Sequence, residues 1–190
     1  MCYSTNLSSV SMLTFDEFRQ LCVQRRSVRY FEQRPIDKET LQKLLDTAHI
    51  APSVENTQPW HFHIIVNPQL KSQLMQTACY GNFIVGASVF IVVSCNKSSK
   101  PKTQEVIWNP KEMEYSCVSA MDHLMLAATT MGIGSCWVSL HHGPVHDILK
   151  LKDNHVVVGG LMLGHLKTGE ELAHSEHVRR PLSECTTVYE

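Results

Sequence analysis

The segment from Glu112 to Met131 constrains the fold more than any other part of the sequence. It is apolar over a length that favours a helix, and its alanine-rich end favours deep burial. Gly132 and Gly134 then turn the chain into a strand predicted at 135–140. A buried helix of this kind has to be covered by other elements, which the rest of the chain must supply.

The remaining segments mix strands and helices, which predicts the α+β class. Thr14 and Glu17 form a capping box at the start of the first helix, with Leu13 and Phe18 at the positions of a hydrophobic staple. Strands are predicted at 60–66, 88–95, 135–140 and 155–166, and helices at 13–25, 37–51, 67–78, 112–131 and 144–151. A polar loop at 97–111 and a polar tail at 167–190 complete the chain.

Length and composition favour one globular domain over 1–190, since 43% of the residues are hydrophobic and 18% are charged. Residues 1–12 and 183–190 are expected to be tails or segments exchanged with a partner subunit. The net charge of −1 gives no overall field to gather nucleic acid or anionic lipid, so neither is an expected partner. Without a secretory signal or a membrane-spanning apolar run, we expect a cytoplasmic protein. Its seven cysteines contain no CxxC pair, which favours reduced thiols.

The densest basic cluster is the segment "RRSVR", with Arg25, Arg26, Ser27 and Arg29 at the exit of the first helix. Guanidinium groups suit a phosphate because their fixed donor forks can bind two oxygens at once. The same residues could also be a solvated helix end in which arginines complement the helix dipole.

A second cluster, "APSVENTQPWHF", places short polar groups directly before a strand, among them Pro52, Ser53 and Asn56. Such groups can hydrogen-bond the edge of a planar heterocycle. An ordinary helix-to-strand turn is the alternative.

A third cluster is "MGIGSCW", in which glycines would let the backbone approach a flat ligand closely. A helix C-cap explains Gly132 equally well. The pattern is not a dinucleotide fingerprint, because its strand follows the glycines.

In this order and spacing, the three clusters resemble the FMN-dependent nitroreductase family, and "HVRRPLSE" resembles that family's closing phosphate segment. The resemblance runs from Phe15 to Glu184. It implies a four- or five-stranded, largely antiparallel sheet wrapped by helices. It also implies an intertwined homodimer with two FMN sites, each built from both subunits.

The resemblance also implies which residues contact the flavin. Those expected at the phosphate and ribityl chain are Arg25, Arg26, Ser27, Arg29 and Arg179. Those expected from the partner subunit are Pro52, Ser53 and Asn56, and those expected near the ring system are Gly132, Ile133 and Gly134. One departure is His177, which stands where the family usually has lysine, with Arg180 following Arg179.

By the same resemblance, NAD(P)H reduces tightly bound FMN and leaves, and a small acceptor such as a nitroaromatic or a quinone then takes its place. No side chain need be catalytic, since the cofactor carries the chemistry. Other reactions on the scaffold remain open, namely flavin fragmentation to dimethylbenzimidazole, reductive dehalogenation and azoline dehydrogenation. Binding of FMN without turnover, for storage or redox sensing, also remains open. His141, His142 and His146 are read as a solvated loop, and no metal site is predicted.

Overall fold

The computed structural model describes residues 13–101, 106–107, 109–167 and 179–189. Its helices are α1 (Phe15–Gln24), α2 (Lys38–His49), α3 (Pro68–Met75), α4 (Glu112–Thr130) and α5 (His142–Leu149). Its strands are β1 (Trp60–Ile65), β2 (Val89–Asn96), β3 (Ile133–Val138) and β4 (His155–His165). Short 3-10 turns occupy Val54–Asn56, Gly81–Gly86 and Leu182–Glu184.

The four strands form one antiparallel sheet in the order β1-β2-β4-β3. Strands β2 and β4 lie at its centre, which explains why both are almost continuously apolar. Two glycines of β4 make room for aromatic rings. A Cβ atom at Gly160 would lie 2.5 Å from the ring of Phe90, and one at Gly164 would lie 2.6 Å from the ring of Phe31.

Helices cover both faces of the sheet. On one face, Ile91 and Val93 of β2 pack with Met121 and Leu124 of α4 and with Leu44 of α2. The opposite face has a second core, formed by Ile65, Phe90, Val92, Leu74 of α3 and Val145 of α5. The predicted α+β class, the mostly antiparallel sheet and the buried central helix are therefore confirmed.

The bounds of β3 and the burial of α1 differ from the sequence predictions. Strand β3 covers Ile133–Val138 instead of 135–140, because its pairing with β4 already begins at Ile133 opposite His165. Helix α1 has the predicted capping box, but none of its residues is buried. The staple positions Leu13 and Phe18 are 60% and 47% exposed, so the face of α1 that carries them is uncovered in the single chain.

Candidate functional site

The arginine segment, residues 25–29, lies alongside the edge strand β3. Ser27 forms a parallel bridge with Ser135, and the backbone N–H of Val28 donates to the carbonyl of Ser135 at 2.8 Å. The fold thus brings together two of the three predicted clusters, although they lie far apart in the sequence.

Gly132, just before β3, and Gly134, within it, have different structural roles. Gly132 has a left-handed backbone (φ +66°) directly after α4, so it does end the helix, as the alternative interpretation held. A Cβ atom at Gly134 would lie 2.9 Å from side-chain atoms of Val28 and Leu166. Gly134 is therefore small because the arginine segment packs directly against it.

One cleft beside this contact, the glycine cleft, has a volume of about 300 Å³. Its lining residues are Gln24, Arg26, Val28, Thr129, Gly132, Ile133, Gly134, Ser135 and Leu166. The hydroxyl of Ser135 is buried and has no hydrogen-bond partner among the described residues. Such a hydroxyl is costly unless a water or a ligand satisfies it.

A second cleft, the arginine cleft, has a volume of about 560 Å³. Arg25 and Ser27 line it together with Tyr115, Val118, Ser119, Asp122, Met125 and Trp137. Both volumes fall in or near the usual range of ligand sites. Sequence reasoning did not single out Ser135 and Trp137, although both lie in the cluster "MGIGSCW", and it missed Tyr115, which no local motif marks as ligand-facing.

The charges of Arg25 and Arg29 both act on the thiol of Cys136 in β3. Burial raises the pKa of the Cys136 thiol, whereas the charge of Arg29, a hydrogen bond from Ser27 and the charge of Arg25 act in the opposite direction. Arg29 is exposed, and its Nη1 donates to the carbonyl of Ser27 at 3.4 Å. The segment therefore presents positive charge around the start of β3.

The second predicted cluster forms a strained loop between α2 and β1. Glu55, Asn56 and Gln58 have left-handed backbones, with φ of 44°, 52° and 47°. Each such residue other than glycine costs on the order of 1 kcal/mol, so the loop needs support from its surroundings. Pro52 is exposed, and the hydroxyl of Ser53 accepts from the N–H of Gln58 at 3.0 Å.

Asn56 lines a separate cavity of about 600 Å³ between this loop, α2 and β1. Gln58, His49 and Trp60 line it as well, and the indole of Trp60 donates to Nδ1 of His49 at 3.0 Å. No residue that lines this cavity lines the glycine cleft or the arginine cleft. Within one chain, Asn56 and the arginine segment therefore face different spaces.

The closing phosphate segment is only partly described. Arg179 and Arg180 are exposed and line none of these three cavities, and His177 lies outside the described residues. Parts of the predicted loop at 97–111 also lie outside them.

A histidine cluster that sequence reasoning missed lies on the sheet face opposite α4. The rings of His61, His63 and His155 lie within 4.5 to 6.4 Å of one another, centroid to centroid. The buried hydroxyl of Ser94 lies 2.9 Å from Nε2 of His63 and 2.9 Å from Nδ1 of His155. The sequence signal was the pair His61 and His63, two residues apart on a predicted strand.

The described residues show neither a metal-binding cluster nor a membrane-spanning helix. They contain no group of three His, Cys, Asp or Glu side chains that could hold a metal ion. In the same part of the chain, no helix combines the length and apolar character needed to cross a membrane.

Comparison with known proteins identifies the family of the chain. The model of the nitroreductase family matches residues 22–165, a stretch that includes the arginine segment, the strained loop and every residue that lines the glycine cleft except Leu166. The chain belongs to the nitroreductase family.

Relatives of this nitroreductase-family chain carry several names. A protein of Archaeoglobus fulgidus, provisionally named NADH dehydrogenase/NAD(P)H nitroreductase, is 28% identical over 85% of this chain and 92% of its own length. The 5,6-dimethylbenzimidazole synthase of Rhodospirillum rubrum is 32% identical over 61% of this chain and 65% of its own length.

Solved structures establish the fold. A protein of Desulfovibrio desulfuricans, provisionally assigned as a nitroreductase and crystallised in complex with FMN, superimposes with a TM-score of 0.78. It is 22% identical and covers 93% of this chain and 99% of its own. The nitroreductase fold predicted by resemblance is thus confirmed.

Proposed function

We propose that this chain is an FMN-dependent oxidoreductase that passes electrons from NAD(P)H to a small acceptor, such as a nitroaromatic or a quinone, in alternating steps. The observation that carries the proposal is the junction of the arginine segment with β3, which places cationic side chains beside two clefts. Family membership and the names of the relatives agree with this activity.

The residues present fit FMN in two respects. Arg25 and Arg29 supply positive charge for a phosphate dianion, with Ser27 as a further donor and Arg179 expected from the C-terminal segment. In the glycine cleft, the unpartnered hydroxyl of Ser135 offers a hydrogen bond to a polar ligand. When bound, FMN would supply hydride exchange with the nicotinamide and the acceptor.

The protein's part is to bind and orient. Arg26 and Gly132, Ile133 and Gly134 line the cleft that we propose for one side of the flavin. Trp137 and Tyr115 line the neighbouring arginine cleft and can exclude water from it. No acid, base or nucleophile is required of the chain in this proposal.

We further propose a homodimer, in which Pro52, Ser53 and Asn56 of one subunit complete the flavin site of the other. Two observations support it. Asn56 and the arginine segment of one chain face separate cavities. Helix α1 buries none of its residues, and its Phe15 is 76% exposed, which leaves apolar surface for a second subunit.

The first test is the visible spectrum of the purified protein. We expect a yellow protein with flavin bands near about 370 and 450 nm, from which denaturation releases FMN and not FAD. A protein that is colourless, and stays so after titration with FMN, would contradict the proposal.

A second test separates the two halves of the site. Subunits carrying Arg25→Ala are mixed with subunits carrying Asn56→Ala, and FMN stoichiometry is measured in the heterodimer. If the site spans the interface, one of the two sites is fully native and one FMN binds with wild-type affinity. If both residues serve the same subunit's site, neither site is native.

The relationship to 5,6-dimethylbenzimidazole synthase favours one alternative, fragmentation of the flavin itself. Aerobic incubation with reduced FMN, followed by mass spectrometry for dimethylbenzimidazole, distinguishes it from electron transfer to an acceptor. NAD(P)H oxidation that does not accelerate with any nitroaromatic or quinone would instead favour FMN binding without turnover.

A further inference from the structure

A buried hydroxyl joins helix α4 to the strained loop. Ser116 is 6% exposed. Its Oγ donates to the carbonyl of Glu112 at 2.7 Å and accepts from the backbone N–H of Val54 at 3.0 Å. A serine hydroxyl has one proton to donate, so the bond to Glu112 leaves a lone pair directed to Val54.

The loop is also held by bonds within itself. The N–H of Gln58 donates to Oγ of Ser53, and the side-chain amide of Gln58 donates to Oδ1 of Asn56 at 2.8 Å. The hydroxyl of Thr57 donates to the carbonyl of Val54 at 2.8 Å. These bonds set the internal shape of the loop, but they cannot fix its direction relative to the sheet and to α4. The bond from the N–H of Val54 to the hydroxyl of Ser116 links the loop to α4 and so constrains that direction.

We propose that Ser116 is a positioning residue for the flavin site. It fixes Val54 to α4 and thereby holds the left-handed residues at 55, 56 and 58 where Ser53 and Asn56 can reach the flavin. This inference rests on the proposed function, in which those two side chains contact FMN across the subunit interface. Ser116 itself does not touch the flavin.

Tyr115, which precedes Ser116 in α4, supports the proposal as well. Tyr115 lines the arginine cleft, whereas Ser116 points to the loop. Two successive residues of one helix therefore border both segments that this chain contributes to the proposed flavin sites, Tyr115 at the arginine cleft and Ser116 at the strained loop.

The bond can be removed from either side. Ser116→Ala deletes the acceptor and leaves the N–H of Val54 unpaired. Val54→Pro deletes the donor, and it suits the local backbone because Ser53 before it is already extended (φ −139°, ψ 151°). Ser116→Thr keeps the hydroxyl, which a helical threonine can also direct to the carbonyl four residues earlier.

Thr47→Ala is the matched control. The hydroxyl of Thr47 donates to the carbonyl of Lys43 four residues earlier in α2, at 2.9 Å, just as Ser116 does in α4. It therefore reproduces the loss of a bond inside a helix without touching the loop.

Two measurements are made on the full-length protein, namely the FMN dissociation constant and, in the flavin-free protein, hydrogen exchange of the Val54 amide by NMR. We expect Ser116→Ala to raise the dissociation constant by about tenfold, the effect of one lost hydrogen bond, and to accelerate exchange at Val54 by a similar factor. Ser116→Thr and Thr47→Ala should stay within about threefold of the wild type. Val54→Pro should match Ser116→Ala, and the double variant should be no worse than either single variant.

Wild-type FMN affinity in Ser116→Ala would overturn the inference, as would equal losses in Ser116→Ala and Thr47→Ala. If Ser116→Ala does not fold, Val54→Pro decides, and wild-type affinity in that variant overturns the inference. A wild-type protein that binds no FMN would overturn the proposed function, and with it the positioning role. The wild-type titration therefore distinguishes the two failures.

Discussion

Acidification should destabilise this protein through the histidine cluster on β1 and β4. Burial, together with the neighbouring His61 and His155, lowers the pKa of His63 from 6.5 to about 4. The pKa of His155 is lowered as well, first by burial and then by His61, Lys152 and His146. Below pH 6.5 the unfolded chain therefore binds more protons than the folded protein, and stability falls as the pH falls from 6.5 towards 4.

The hydrogen bonds of Ser94 explain why His63 and His155 resist protonation in the folded protein. The hydroxyl of Ser94 lies between His63 and His155, so it can donate to one neutral ring while it accepts from the other. If both rings are protonated, both nitrogens are donors, and the buried hydroxyl proton of Ser94 can bond to neither. Protonation thus breaks a satisfied network inside the sheet.

The size of the effect follows from the two pKa values. A pKa of about 4 in the folded protein, against 6.5 in the unfolded chain, gives a loss of about 2 kcal/mol between pH 7.5 and pH 5.0. Because His63 is only half-buried, solvent screens part of this difference, and we expect a contribution of about 1 kcal/mol.

Urea unfolding at pH 7.5 and pH 5.0, at one protein concentration and without FMN, measures this loss. His63→Gln cannot titrate, so its loss of stability between the two pH values should be smaller than that of the wild type by about 1 kcal/mol. His142→Gln, which changes an exposed histidine at the start of α5, should behave as the wild type does. If the wild type and His63→Gln lose equal stability, the reasoning is refuted.

Three further substitutions test the fold around the site. Gly134→Ala should force Val28 and the arginine segment outwards, cost about 1 to 3 kcal/mol in urea unfolding and weaken FMN binding; unchanged values would contradict the packing described. Gly86→Ala, in the 3-10 turn Gly81–Gly86, where the added Cβ meets nothing within 4 Å among the described residues beyond the adjoining backbone, should stabilise the protein by about 0.5 kcal/mol, and a lower melting temperature would count against it. Thr14→Ala removes the Thr14 hydroxyl, which accepts from the N–H of Glu17 and donates to its carboxylate, whereas the backbone N–H of residue 14 keeps its bond to that carboxylate. The amides of the first turn of α1 should therefore exchange faster by an amount worth about 1 kcal/mol, and unaltered exchange would show that the hydroxyl contributes nothing.

Local sequence signals predicted much of this fold. The capping box at Thr14 and the Asn67–Pro68 start of α3 are confirmed, because each depends on side chains within one helical turn. Family resemblance added the antiparallel sheet. The left-handed backbones of Glu55 and Gln58 could not be predicted from composition, since neither residue type favours that conformation.

The geometry of the site depends on contacts between distant segments, and a single sequence does not reveal them. The tight packing of Gly134 against Val28 and the unpartnered hydroxyl of Ser135 emerge only once the arginine segment lies beside β3. The contacts of Arg25, Asn56 and the other predicted residues with FMN stay predictions, and so does the role of His177.

The fit of aromatic rings over glycines in β4 also constrains how this sequence can evolve. Gly164 and Phe31, like Gly160 and Phe90, occupy one shared volume, so neither member of a pair can grow unless the other shrinks. A scan of single substitutions would record Gly160 as immutable. A library that varies both positions should recover Gly160→Ala together with Phe90→Leu, because leucine lacks the Cε2 and Cζ atoms of Phe90 that lie closest to the new methyl group. Which substitutions each position tolerates therefore depends on the residue at the paired position.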